Sequence, residues 1–216
     1  MKPVMSLTSI PPRLPHIGPA LRALAAQGEV WLCLPRAWRR FPGAAPRIEV
    51  PDGVRLCIVD ADEGPATKAL PAARALAGSG RPLVYCDDDW IYGPGWLDAL
   101  AETAAAHPGA AVAAAPYDGA RIGWPGLTVA QGFAGVLVSP DWLADLTPPQ
   151  GLEDVDDLWL SAALHARGIP MVAAPSARAL ARPSGNEAAP LQACDRAALM
   201  RRGVDRLRRA GAERLR

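Results

Sequence analysis

The sequence predicts a single α/β domain with a mostly parallel central sheet and helices on both faces. Short apolar, β-prone runs alternate along the chain with stretches of helical periodicity. Strands separated by helices need crossover connections, which give parallel pairing and a sheet covered on both faces. The 216 residues are 50% hydrophobic and 21% charged, a composition that fills one core and excludes whole-chain disorder.

Residues 4–9 form the first strand, which ends in Thr8 and Ser9 before Pro11-Pro12. Ile17, Leu21 and Leu24 share one face of a helix over 15–27, stopped by Gly28. Residues 30–34 are an apolar strand closed by Pro35, and a Pro- and Arg-rich loop follows over 36–46. A third strand spans 54–60. The stretch 65–77 is helical and ends at Gly78-Ser79-Gly80. Residues 82–86 form a fourth strand. A helix over 95–107 lies between Pro94 and Pro108-Gly109. Strands are expected over 111–115 and 133–138. The spacing predicts a helix over 155–167, ended by Gly168, with Val155, Leu158, Trp159 and Ala162 as its core-facing stripe. Residues 171–174 close the pattern as a short strand.

Composition excludes several function classes. Net charge is only +1, which argues against a surface that grips nucleic acid, so no such partner is expected. No run nears the roughly 20 apolar residues of a membrane span. The N-terminus lacks the apolar core of a secretory signal. Cys33, Cys57, Cys86 and Cys194 show no CxxC spacing and read as small buried residues in a reducing compartment. The expected location is the cytoplasm. The two best-known nucleotide loops, GxGxxG and GxxxxGKS/T, are absent from the sequence.

In open parallel sheets, ligands bind beyond the carboxyl ends of the strands. Those ends hold Thr8-Ser9, Asp60 and Asp87-Asp88-Asp89. Three adjacent carboxylates repel one another unless positive charge sits among them. Hard divalent cations such as Mn2+ or Mg2+ prefer oxygen ligands and often share them with substrate phosphates. A metal site bridging to a diphosphate is one reading. A solvated acidic turn is the other.

Asp87 and Asp89 fit the Asp-any-Asp motif with which GT-A glycosyltransferases hold a metal and a nucleotide sugar. Other segments carry the same likeness: Ser6-Leu7-Thr8-Ser9-Ile10-Pro11-Pro12-Arg13, Gly64-Pro65-Ala66-Thr67-Lys68, Gln131-Gly132-Phe133-Ala134-Gly135-Val136, and Glu153-Asp154-Val155-Asp156-Asp157-Leu158-Trp159-Leu160 before Gly168. Over about residues 4–175 the chain resembles small bacterial GT-A-fold enzymes, similar to the large inverting family 2 glycosyltransferases. Those enzymes usually carry Glu-Asp eleven or twelve residues before the helix-ending glycine, where this chain has Asp156-Asp157.

The resemblance implies a single GT-A-like, Rossmann-like domain, taken over residues 1–194; the charge and apolar spacing of the tail predict a basic C-terminal helix over 195–216. The resemblance also implies transfer of a sugar from a nucleotide-diphosphate sugar to a hydroxyl of a glycan or lipid-linked acceptor, with inversion. Asp89, helped by Asp87, would hold Mn2+ or Mg2+. Asp87 and Asp88 would also contact the donor. Asp157 is the first choice for general base and Asp156 the second, since the positive end of the helix dipole favours an ionised carboxylate there. Simple capping of the helix is the competing account. Lys68, the only lysine beyond Lys2, suits a phosphate as a point charge, or is an exposed helix lysine. Arg13 is a second phosphate or base contact. Thr8 and Asp60 would face the nucleoside, although strand-end turn chemistry also explains them. Trp124, in the loop Gly123-Trp124-Pro125-Gly126, is the candidate for sugar stacking, with Gly135 on the acceptor side. Asn186 would belong to a late loop closing over the donor. Competing functions are a sugar nucleotidyltransferase, disfavoured by the glycine-free loop after the first strand, and an inactive sugar- or protein-binding module on the same fold.

The tail over 195–216 holds eight arginines against Asp195, Asp205 and Glu213. Met200, Val204, Leu207 and Leu215 make a narrow apolar stripe. Such a helix can lie peripherally on an anionic membrane or dock on the domain with its arginines in solvent.

Overall fold

The computed structural model describes residues 1–43, 48–185 and 196–210. In chain order the strands are β1 (Val4–Leu7), β2 (Val30–Pro35), β3 (Val54–Val59), β4 (Leu83–Tyr85), β5 (Trp90–Tyr92), β6 (Ala111–Ala113), β7 (Pro116–Asp118), β8 (Thr128–Ala130), β9 (Val136–Val138), β10 (Met171–Ala173) and β11 (Ala181–Pro183). The α-helices are α1 (Gly18–Ala25), α2 (Leu70–Leu76), α3 (Trp96–Ala106), α4 (Asp156–Ala166), α5 (Pro175–Ala179) and α6 (Arg196–Ala210).

Seven strands form the central sheet in the order β10-β6-β9-β4-β1-β2-β3. All neighbours are parallel except β9, which runs antiparallel between β4 and β6. Side-chain alternation sends Val4, Leu83 and Tyr85 to one face, with Leu70 and Leu76 of α2 and Leu158 of α4. Met5, Leu7 and Val84 point to the other, with Leu21 and Leu24 of α1 and Leu97 and Leu100 of α3. Helices thus cover both faces of a mostly parallel sheet, as the alternating sequence pattern predicts.

Several elements depart from the sequence expectation. The helix expected over 65–77 is two pieces: a 3-10 turn over Gly64–Lys68, then α2 with Pro71 in its first turn. Pro71 lacks the N–H that a continuous helix would need there. The strand expected over 133–138 shortens to β9, because Gly132–Ala134 is a tight 3-10 turn. The small antiparallel pairs β5–β11 and β7–β8, and the short α5, are too brief for periodicity to reveal. α4 does not have a stripe: all nine residues from Asp156 to Leu164 are buried. Its outer side is covered by α6, whose Met200, Val204 and Leu207 join the same core. The docked account of the tail therefore holds for 196–210. Asp195, Glu213, Leu215, Asn186 and Cys194 lie outside the described residues. No helix among the described residues is long and apolar enough to cross a membrane.

Candidate functional site

Four segments converge at the carboxyl ends of β1 and β4. The loop after β4 supplies Asp87, Asp88 and Asp89. The loop after β1 supplies Ser9 and Arg13. The turn before α2 supplies Lys68, and the first turn of α4 supplies Asp156 and Asp157.

The loop after β4 splits its carboxylates between two cations. Asp87 faces Lys68, with Nζ to Oδ1 at 2.6 Å. The same Nζ lies 2.9 Å from Oδ2 of Asp156. Arg13 approaches Oδ1 of Asp88 at 2.8 Å and Oδ2 of Asp89 at 3.1 Å. Ser9 donates its hydroxyl to the other oxygen of Asp88, while the carbonyl of Ser9 accepts from the Trp38 indole at 2.9 Å. The positive charge that three neighbouring carboxylates require thus comes from the chain itself. Five carboxylates still face two cations, so the cluster remains formally negative.

Lys68 is not the exposed helix lysine that its local sequence allows. Its side chain is only 3% exposed. Burial opposes its charge, but Asp156, Asp87 and Asp157 outweigh that and hold the ammonium well above its ordinary pKa. Its turn is braced from behind. Glu63 takes a two-pronged contact from Arg74, at 3.0 and 2.7 Å, and its N–H donates to the Thr67 hydroxyl at 3.1 Å. A bidentate contact of this kind fixes orientation as well as charge.

The N-cap position of α4 is Val155, which makes no side-chain capping bond, and Asp156 and Asp157 occupy the first turn. Asp156 points to Lys68. Asp157 accepts the Gly132 N–H on Oδ1 at 2.9 Å. Ser161, one turn on, donates to the Asp157 carbonyl at 2.6 Å and accepts the Ala130 N–H at 2.9 Å. The 130–132 backbone and the acidic helix start are thereby locked together.

Burial, with Asp87 and Asp88 nearby, raises the Asp89 carboxyl to about 6 against the pull of Arg13. Burial also raises Asp88, with Arg13 and Ser9 opposing. Oδ1 of Asp89 is buried and has no hydrogen-bond partner.

Two further residues organise the site without having been singled out by the sequence. Gly132 leaves no room for a side chain: a Cβ would lie 2.4 Å from Lys68 Nζ and 3.2 Å from Asp157 Oδ1. Tyr92, on β5, accepts the Asp87 N–H at 3.1 Å, and its hydroxyl lies 2.9 Å from the carbonyls of Asp87 and Phe133. It ties the acidic loop to the Gly132 turn. The Gly132 signal lay within the segment 131–136 that carried the family likeness; Tyr92 gave none beyond a β-prone aromatic.

Of the remaining candidates, Thr8 borders the site beside Ser9, and Asp60, Trp124 and Gly135 are placed differently. Thr8 follows β1 directly and is half-buried. Asp60 is 92% exposed beside Arg36 at the end of the edge strand β3, three strands from β4 and so about 14 Å away across the sheet. Trp124 is at the far end of the β7–β8 hairpin, with the Arg208 guanidinium 5.5 Å over its ring. Gly135 has a packing reason to be glycine. Its φ is +100°, and a Cβ would come within 2.2 Å of the Trp96 ring. Trp96 and Trp159 are wholly buried core residues.

The chain matches no family profile, and no curated protein resembles it in sequence. Among solved structures, its fold is similar to residues 1–349 of S. aureus TarS, with a TM-score of 0.50 and 11% identity. The match covers 85% of this chain and 57% of that one, so the chain spans little more than half of its length. At that identity the likeness is one of fold. The chain accordingly has a Rossmann-like GT-A domain fold.

Proposed function

We propose that the chain is a metal-dependent glycosyltransferase. It would move a sugar from a nucleotide-diphosphate sugar to a hydroxyl of a glycan or lipid-linked saccharide, with inversion. The observation that supports this reading most directly is the meeting of Asp87, Asp88 and Asp89 with Lys68, Asp156 and Asp157 at the carboxyl end of β4. In a fold of this type that is the place for a ligand.

The donor atoms suit a hard divalent cation. They are all oxygens, and the buried Oδ1 of Asp89 lacks a partner. Among the described residues no three His, Cys, Asp or Glu side chains gather closely enough to hold an ion alone. Mn2+ or Mg2+ would therefore be held by Asp89, with Asp87, and by the diphosphate oxygens. When bound, the ion would supply charge neutralisation for the departing diphosphate. A diphosphate brings more negative charge to an already negative cluster, which is why the reading requires a cation.

The chain's own residues would do the rest. Lys68 and Arg13 flank the acidic loop and would add positive charge toward the phosphates. Thr8 and Asp60 mark the nucleoside side. Asp157 would take the acceptor proton, oriented by the Gly132 N–H. Asp156 is occupied by Lys68, which favours Asp157 as base. Trp124 and Gly135 would lie toward the acceptor.

Thermal melting with UDP, GDP, CDP and dTDP sugars, with and without Mn2+, tests the proposal. One nucleotide is expected to raise Tm by several degrees, and only with the metal, through ligand linkage. Asp89→Ala should abolish that rise. An Asp89→Ala protein that retained it would falsify the metal assignment.

A further inference from the structure

The two faces of α6 have different fates. Met200, Val204 and Leu207 are buried in the domain core. Gly203 packs so closely on α4 that a Cβ would lie 2.7 Å from Leu158 Cδ2. The opposite face presents Arg201, Arg202, Arg206, Arg208 and Arg209, all exposed, with Asp205 the one acid among them. Spacings of three, four and seven residues put these side chains in one strip. The strip is strongly positive in a chain whose net charge is only +1, so the remainder of the molecule is net acidic. Arg206 approaches Gly151, and Arg208 lies over Trp124. These contacts put the strip beside the β7–β8 hairpin and the loop that leads into Asp156 and Asp157.

We propose that this strip docks the protein on an anionic lipid surface by charge alone, without insertion. A basic amphipathic helix ordinarily sinks its apolar side into the headgroup region. Here that side is committed to the core, so only the arginines remain to make contact. Each arginine near an anionic leaflet strengthens binding about fivefold. A planar lipid surface meets the strip and nothing else. A nucleic acid that followed the protein surface would run onto the net-acidic remainder and be repelled. The strip also offers no open aromatic platform for bases, since Trp124 lies beneath Arg208. The contact is independent of the transfer reaction, and its test needs no sugar donor.

Sedimentation with vesicles tests it, using the full chain. Vesicles of phosphatidylcholine and phosphatidylglycerol are expected to carry the protein down, and vesicles of phosphatidylcholine alone are not. Rising ionic strength should release it, because exposed charges are screened. Arg201→Glu/Arg202→Glu/Arg209→Glu should keep its melting temperature and bind the anionic vesicles at least about a hundredfold more weakly. If that variant misfolds, the milder Arg201→Gln/Arg202→Gln/Arg209→Gln should weaken binding in proportion to the charge removed. Equal binding to neutral vesicles would mean insertion and overturn the proposal. So would unchanged binding by a folded variant, no sedimentation with either vesicle, or stronger capture by a DNA duplex added as competitor.

Discussion

Lys68 is the cation that the two halves of the site share. Its ammonium contacts Asp87 of the loop after β4 and Asp156 of the first turn of α4. Taking away one partner of a buried ionic cluster leaves charge that water cannot reach. Lys68→Met is therefore expected to cost about 3–5 kcal/mol of stability in chemical denaturation. Lys68→Arg should not restore it, because the Gly132 backbone closes over Nζ and leaves no space for a guanidinium. A Lys68→Met protein as stable as the parent would show that the cluster relaxes instead. Asp89 behaves in the opposite sense. Its carboxyl is raised to about 6, so the folded state holds that proton more tightly than the unfolded chain. The stability this group provides is greatest below its unfolded value of about 4 and is lost as pH rises through about 6. Asp89→Asn should consequently stabilise the metal-free protein by about 1–2 kcal/mol near neutral pH. The gain should vanish when the melts are repeated in acid below the unfolded value.

At the scale of elements, the Gly132 turn shows how little chain is needed to close the site. The three-residue turn Gly132–Ala134, within the five residues between β8 and β9, supplies the N–H that holds Asp157 and the gap that admits Lys68. Gly132→Ala forces its methyl against a buried ammonium that two carboxylates already hold in place. The expected cost is about 1–3 kcal/mol, as for other overpacked sites, together with loss of any metal-dependent nucleotide shift. Retention of that shift with unchanged Tm would mean the turn is softer than its contacts imply. β1, β2, β4, α1 and α3 were legible in the sequence because apolar periodicity and Gly or Pro stops coincide there. β9 and the turn before α2 were only half legible. Pro71 and the 3-10 geometry around Gly132 interrupt patterns that look continuous by hydrophobicity. Asp87, Asp89, Asp156, Asp157 and Lys68 stood out as residue types at strand and helix ends. Their pairing did not, because residues 68, 87 and 156 meet only through the sheet order. Asp60 and Trp124 satisfied the same local criteria, yet topology leaves one on the edge strand and the other at a hairpin tip.

Across the whole molecule, a near-zero net charge conceals two separated populations: carboxylates at the strand ends and arginines on α6. The apolar side of α6 joins them mechanically. It rests on Leu158, two residues beyond the start of α4, and on the core that also holds Val155 and Leu152. Removing the chain from residue 196 onward would therefore do more than delete positive charge. It would open the covered side of a helix whose residues 156–164 are all buried, and whose first turn carries Asp156 and Asp157. Leu207→Ala isolates the packing contribution, since it leaves every arginine in place. A buried leucine cut back to alanine usually costs about 2–5 kcal/mol, and Leu207 is 3% exposed. The expected result is a graded series in thermal melting: parent, then Leu207→Ala, then the truncation. The metal-dependent nucleotide shift should fall in the same order as α4 loses its support, whereas the arginine reversals should leave that shift intact. A truncated chain that melted with the parent and kept the shift would mean that α4 is secured by the sheet alone, and that α6 serves only as a charged surface.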